Sequence, residues 1–368
     1  RVVIIMLEFA LDEEQQMLVN TLNRFAETQI RSVYRDAEED GEMPQGVVRA
    51  GWEFGLLPTS IPEEYGGFGE YSVVTNAIAA EELAYGDLAA ALAILQPGLL
   101  AIPVMLAGTH AQKEEYLPLF CGESPPKITA ALTEPRVRFD PRSLSSAAEV
   151  VDNSYILSGE KSLVPLAEEA DTYLVYASEK GQTQAFFVEK ETGGLLVKDR
   201  EQLMGISALP TYRITLDDCR IPLENKLGGE EGIDFDLILS HGRAALGASA
   251  VGLARAGYEY ALEYAKNRVQ FDEPIAHRQS IAFMLAEMAM EVDAARLLVW
   301  ETAWKLDRGE DAVRQTTLMK SYIDNVVLQI ADRAVQILGG YGYVREYPVE
   351  LWLRNARGFA SFDGLAMI

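Results

Sequence analysis

The densest set of groups able to do chemistry lies near the end of the chain: Tyr347-Pro348-Val349-Glu350, Arg354-Asn355-Ala356-Arg357 and Ser361-Phe362-Asp363-Gly364-Leu365. On residue type alone, Asp363 before Gly364 is a turn carboxylate, and a carboxylate can also act as a proton acceptor. Arg136 and Arg138, in Arg136-Val137-Arg138-Phe139-Asp140, suit an anionic group and equally suit solvated surface. Gly339-Gly340 lets a backbone approach a ligand closely. His110, His241 and His277 are far apart and show no ligand spacing, so no metal site is expected.

The elements that must position these groups change character twice along the chain. Up to residue 126 the pattern is helical: Phe9-Ala10-Leu11-Asp12 reads as a helix entry, and Met17, Leu18, Leu22 and Phe25 recur at helical spacing. Val73 to Leu83 and Ala111 to Phe120 read as further helices, with a glycine-punctuated loop at Tyr65-Gly66-Gly67-Phe68-Gly69. From 127 to 224 short runs rich in β-branched and aromatic residues take over. These are Ala147 to Val151 and Tyr155 to Leu157 around Asp152-Asn153-Ser154, then Thr172 to Tyr176, Ala185 to Val188 and Thr211 to Leu216. From Gly232 the pattern is helical again, with Ile281, Leu285, Met288 and Val292 on one helix face. The expected organisation is α+β: a helical segment 1–126, a β segment 127–224 and a helical segment 225–368.

The 368 residues carry a formal charge of −24, which repels nucleic acid phosphates, and no basic stripe offsets it. The most apolar run, Leu88 to Leu106, is broken by Pro97, Gly98 and Pro103 and reads as two short buried helices, so no membrane span is expected. With only Cys121 and Cys219, a reducing, cytoplasmic setting is the simplest expectation. Arg1-Val2-Val3-Ile4-Ile5 is too short for a signal peptide, and Met6 is a candidate natural start.

Six segments, in order, closely resemble acyl-CoA dehydrogenases. They are Ile61-Pro62-Glu63-Glu64-Tyr65-Gly66-Gly67, Glu81-Glu82-Leu83-Ala84, Gln112-Lys113-Glu114-Glu115-Tyr116-Leu117-Pro118, Leu132-Thr133-Glu134-Pro135, Arg268-Val269-Gln270-Phe271 and Gln336-Ile337-Leu338-Gly339-Gly340-Tyr341-Gly342. The C-terminal motif resembles the same family. The resemblance implies an N-terminal α domain, a middle β barrel and a C-terminal four-helix bundle. It also implies FAD, an acyl-CoA substrate of fatty acid metabolism, and electron-transfer flavoprotein or a similar acceptor. The expected assembly is a homodimer, a homotetramer or a heteromer with a homologous subunit. In this chemistry a carboxylate takes the α-proton while the β-hydrogen passes to the flavin as hydride.

Carried over residue by residue, the resemblance makes Asp363 the base, one methylene shorter than the usual glutamate. It places Leu132, Thr133, Leu163 and Val164 against the flavin, and Arg268, Phe271, Gln336, Gly339 and Gly340 against the FAD of a neighbouring subunit. Phe139, Arg243, Phe362 and Gly364 fall to the substrate. Gly242 stands where some relatives carry an alternative base. Departures on this chain's own flavin side are Leu163-Val164-Pro165 in place of a Trp-Ile-Thr, and Leu365 and Met367 in place of a Thr and a Gln. At the acyl and pantetheine entrance, Arg136 to Asp140 replaces a glycine-rich loop. These departures define two alternatives: a flavin-poor or non-catalytic subunit of a heteromeric dehydrogenase, and a flavoprotein of the same fold with a lyase or desulfinase-type reaction.

Overall fold

The computed structural model describes residues 10–368, so Phe9 and the stretch through Met6 lie outside the described residues. The chain divides into two compact units, each assembled from separated stretches. One takes the N-terminal stretch through Arg35, Ser72–Ala91 and Gly247–Ser361; the other takes Asp36–Tyr71, Leu92–Leu246 and Phe362–Ile368.

The first unit is helical. Its opening helix, Glu13–Phe25, starts where Asp12 accepts the Gln15 amide at 2.7 Å and the Gln15 side chain accepts the Asp12 amide in return, so two of the amides left unpaired at the helix start find partners. Helices Val73–Gly86, Gln279–Asp307, Val313–Leu338 and Val349–Gly358 follow, together with the part of Phe235–Asn267 from Gly247 onward. On Gln279–Asp307, Leu285, Met288 and Val292 are buried as their spacing predicts, and Ile281 is half-buried. Gly86 lets helices meet: a Cβ there would lie 3.0 Å from Ala26 and Ile30.

The second unit is built on a seven-stranded sheet. Its strands are β1 (Ile128–Ala131), β2 (Ala147–Val151), β3 (Ser154–Pro165), β4 (Thr172–Glu179), β5 (Gln182–Glu189), β6 (Leu195–Arg200) and β7 (Thr211–Pro222). They run in the order β1-β4-β2-β3-β7-β6, with β5 paired to β4. The hairpin β2–β3 turns at Asp152 and Asn153, both left-handed at φ +47° and +62°, as a two-residue turn between twisted strands requires. The expected middle β barrel takes the form of a half-barrel, since no pairing joins the ends of this path among the described residues. Strand alternation sorts β4 cleanly. Tyr173, Val175 and Ala177 enter one apolar core, and Leu174 and Tyr176 enter another with Leu99, Leu132 and Phe235.

The expectation about membrane spans needs one amendment. By length and composition the helix Phe235–Asn267 could cross a bilayer, but 89% of its most apolar window is buried inside the protein, as in a core helix. Leu88 to Leu106 forms the two short helices expected, Leu88–Leu95 and Gly98–Ala107.

Candidate active site

The site is assembled within the second unit from three sequence-distant pieces: the end of β1, the helix starting at Phe235, and Phe362–Ile368. Gly364 makes the approach possible. Its backbone is left-handed, φ +72°, and a Cβ there would sit 2.9 Å from the Leu132 Cβ. The Thr133 hydroxyl donates to the Asp363 backbone carbonyl at 3.0 Å and fastens the segment to the sheet. Arg243 then reaches the carboxylate: Nε donates to Oδ1 and Nη2 to Oδ2, each at 3.1 Å. Asp363 and Gly364 line a small enclosed pocket with Leu99, Leu132, Tyr176 and Phe235. A carboxylate held in its plane within an apolar, water-poor pocket is suited to accept a proton from carbon.

Beneath Thr133 lies a buried ion pair. Lys161 Nζ donates to Glu134 Oε1 at 3.1 Å and to the Leu132 carbonyl at 3.2 Å. Burial pushes Lys161 down to about 8 against the attraction of Glu134. Burial alone would raise Glu134, but the Lys161 ammonium and the Ser145 and Ser146 amides outweigh it and hold the carboxyl at about 2. The pair holds the chain on either side of Thr133. No local pattern in the sequence links Glu134 to Lys161, 27 positions away.

His241, one residue before Gly242, is buried. Its Nδ1 lies 2.8 Å from the Ile368 carbonyl and 2.9 Å from the Tyr71 hydroxyl. Burial pushes its pKa down to about 4, with the Ile368 bond opposing the shift.

The residues expected against the flavin divide. Leu132 lines the pocket and Thr133 is committed to Asp363. Leu163 sits in a bulge of β3, left-handed at φ +53°, and its amide donates to the Glu201 carboxylate at 2.8 Å. Pro165 has no amide hydrogen, and its carbonyl accepts the Thr129 hydroxyl at 2.6 Å. Alternation along β3 turns the Val164 side chain into the sheet's inner core, so its backbone is the part left for a ligand. Of the substrate residues, Phe139 is half-buried against the core that contains Tyr176, and Phe362 is buried. Arg136 is used inside its own loop, donating to Ser145 Oγ at 2.9 Å and pairing with Glu134 at 3.2 Å, whereas Arg138 is exposed.

In the first unit Arg268 and Gly340 line a cavity of about 810 Å³ with Tyr264, Tyr341 and Tyr347. Added Cβ atoms at Gly339 and Gly340 would meet none of the described residues within 4 Å, and Gly339 has a positive φ of +59°. Gln336 is exposed nearby in sequence, and Phe271 is 88% exposed. Bare glycine backbone, an arginine and aromatic walls fit the phosphates and ring of a dinucleotide.

The chain matches the acyl-CoA dehydrogenase N-terminal domain over residues 12–123, the middle domain over 129–219 and the C-terminal domain over 235–367. It is 34% identical over 366 residues to the caffeyl-CoA reductase-Etf complex subunit CarC of Acetobacterium woodii, covering 96% of each chain. It is 34% identical over 366 residues to a 3-(aryl)acrylate reductase of Clostridium sporogenes, again with 96% of each covered. The structure of butyryl-CoA dehydrogenase from Megasphaera elsdenii superposes with a TM-score of 0.88 at 32% identity, over 97% of this chain and 96% of that one. The chain therefore belongs to the acyl-CoA dehydrogenase family, FAD-dependent oxidoreductases acting on the CH–CH bond of acyl-CoA thioesters.

Proposed function

We propose that Asp363 is the base of this dehydrogenation and that Arg243 aims it. The observation that carries the reading is the two-point contact between the Arg243 guanidinium and both Asp363 oxygens at an apolar pocket. FAD, when bound, supplies the electron sink that accepts the β-hydrogen as hydride. The chain's own part is the proton and the aim. Asp363 takes the α-proton at a carboxylate oxygen, Arg243 fixes the plane of that carboxylate, and Thr133 fixes the backbone behind it. Leu99, Leu132 and Phe235 keep water out.

The shorter side chain places the whole demand on backbone position, since a misplacement near 1 Å costs about 100-fold. Gly364 and the Thr133 bond answer that demand by drawing the segment against Leu132. Leu132, Thr133 and Leu163 would flank the ring of this chain's FAD. Arg268, Phe271, Gln336, Gly339 and Gly340 would serve the FAD of a neighbouring subunit, which makes the working enzyme an oligomer, a homo-oligomer in the simplest case. The functional segments are 1–126, 127–224 and 225–368, supported by the change from helix to strand at Ile128 and back at Phe235. Electron-transfer flavoprotein is the acceptor that the Etf-associated relative favours. A cytoplasmic setting is supported by two free cysteines, Cys121 and Cys219.

Asp363→Asn tests the assignment. The flavin should stay bound while acyl-CoA no longer bleaches its visible absorbance. Bleaching at the wild-type rate removes Asp363 from the mechanism.

The names of two relatives favour a second reading, of direction only. Both are reductases. In that direction protonated Asp363 delivers its proton to the α-carbon of an enoyl thioester. Reduced enzyme mixed with a 2-enoyl-CoA would reoxidise without another acceptor; a stable reduced spectrum would exclude this direction.

A further inference from the structure

We infer that Tyr176 is the specificity donor of the acyl pocket, its phenol hydroxyl bonding an oxygen acceptor on the acyl group beyond the reacting carbons. The inference rests on the acyl-CoA reading above and adds the class of acyl group: one that carries a remote oxygen.

The argument starts from β4. Two tyrosines stand on it and face opposite cores. Tyr173, fully buried, gives its hydroxyl to the Ala167 carbonyl at 2.5 Å. Tyr176 is 2% exposed, and its hydroxyl has no hydrogen-bond partner among the described residues. Its ring is held edge-on to Phe235, with centroids 5.7 Å apart and planes at 61°. Burial raises the phenol's pKa, so the group stays a neutral donor across the working range.

A buried hydroxyl without a partner costs stability that leucine or phenylalanine at the same place would avoid. The cost is offset when a ligand supplies the acceptor. Tyr176 lines the same pocket as Asp363 and Gly364, which measures only about 10 Å³ as it stands, so an acyl group that brings its α-proton to Asp363 has to open this space and then meets Tyr176. The hydroxyl is wholly enclosed. The bulky, charged CoA end of a thioester must lead toward solvent, so the enclosed hydroxyl meets the acyl end.

The test uses FAD-loaded full-length protein in two forms, Asp363→Asn and Asp363→Asn with Tyr176→Phe. Calorimetry measures binding of matched pairs: ω-hydroxybutanoyl-CoA against pentanoyl-CoA, ω-hydroxypentanoyl-CoA against hexanoyl-CoA, and para-hydroxyphenylpropanoyl-CoA against phenylpropanoyl-CoA. With Tyr176 present, at least one oxygenated member should bind about tenfold or more tighter than its partner, and Tyr176→Phe should abolish that preference. Without acyl-CoA, Tyr176→Phe should leave Tm unchanged or raise it, whereas a hydroxyl with a structural partner would lower it.

Equal ratios in both proteins for every pair overturn the inference. So does an equal loss for both members of each pair, which would assign the hydroxyl to the thioester carbonyl. A shifted flavin spectrum with unchanged ratios would assign it to the cofactor, and failure of every acyl-CoA to bind would remove the pocket's role. Wild-type protein that binds with the predicted preference yet is never bleached would instead defeat the dehydrogenase assignment and leave the Tyr176 contact standing.

Discussion

Arg243 and Asp363 meet side-on, guanidinium fork to carboxylate, with both nitrogen–oxygen distances at 3.1 Å and the two side chains 13% and 12% exposed. A planar fork fixes the plane of a carboxylate, whereas an ammonium fixes only its distance. Arg243→Lys should therefore keep the charge and lose the aim. We expect the rate of flavin reduction to fall about 10- to 100-fold with little change in KM, and Arg243→Gln to fall further. Stopped-flow reduction by acyl-CoA measures this. A raised KM at unchanged rate would move Arg243 from aiming the base to binding substrate.

Gly364 should tolerate no side chain. Its φ of +72° is one that L-residues adopt with strain, and a Cβ would press on the Leu132 Cβ at 2.9 Å, close to the main chain and hard to move. Gly364→Ala should cost about 1–3 kcal/mol and displace the Asp363 carboxylate, lowering both Tm and the rate. In a Leu132→Gly background the Tm loss caused by Gly364→Ala should be smaller, because the Leu132 Cβ that the new methyl meets is then gone. Strict additivity of the two losses would show that the clash is not their cause.

Much of this was legible in the sequence, for identifiable reasons. Periodicity placed Leu285, Met288 and Val292 in a core, and Asp152-Asn153 marked the β2–β3 turn because a left-handed pair suits Asn and Asp. The edges were less legible. β3 was expected to end at Leu157 and runs to Pro165, because Gly159 and the Leu163 bulge interrupt its alternation without ending its pairing to β7. β1 and β6 were missed, the first a fully buried run of four residues whose burial leaves no alternation to read. At the site, residue types were visible but partners were not. Nothing local to Thr133 points to a carbonyl 230 positions away. Nothing local to Tyr176 separates it from Tyr173; only the fold gives one hydroxyl a partner and leaves the other without one among the described residues.

His241 sets an acid limit on stability. Its folded pKa is pushed down to about 4 by burial, below the ordinary 6.5. Between those values the unfolded chain binds a proton that the folded chain refuses. Stability is therefore complete above pH 6.5 and declines as pH falls toward 4, by about 3 kcal/mol in all. His241→Gln can still donate to the Ile368 carbonyl but does not titrate. Denaturant unfolding from pH 7 to pH 4 should show a shallower decline for the variant. Identical pH profiles would mean that His241 charges as readily folded as unfolded.

The first unit offers a prediction that does not depend on the reaction. Arg255 donates to Glu81 at 2.9 Å and to both oxygens of Glu82 at 2.6 and 2.7 Å, and Arg296 holds Glu81 from another helix at 2.8 Å. The Arg255 guanidinium also stands 4.3 Å over the Tyr85 ring, with Arg31 at 3.9 Å from the same ring centroid. Glu81 and Glu82 are both buried, so removing one cation leaves a carboxylate short of its counter-charge in a poorly solvated place. Arg255→Met should cost about 3–5 kcal/mol in urea unfolding. Glu82→Gln added to Arg255→Met should return part of that, since it removes the stranded charge rather than a second attraction. If the double variant is instead less stable than Arg255→Met, then packing of the Arg255 stem, and not its charge, is what holds these helices.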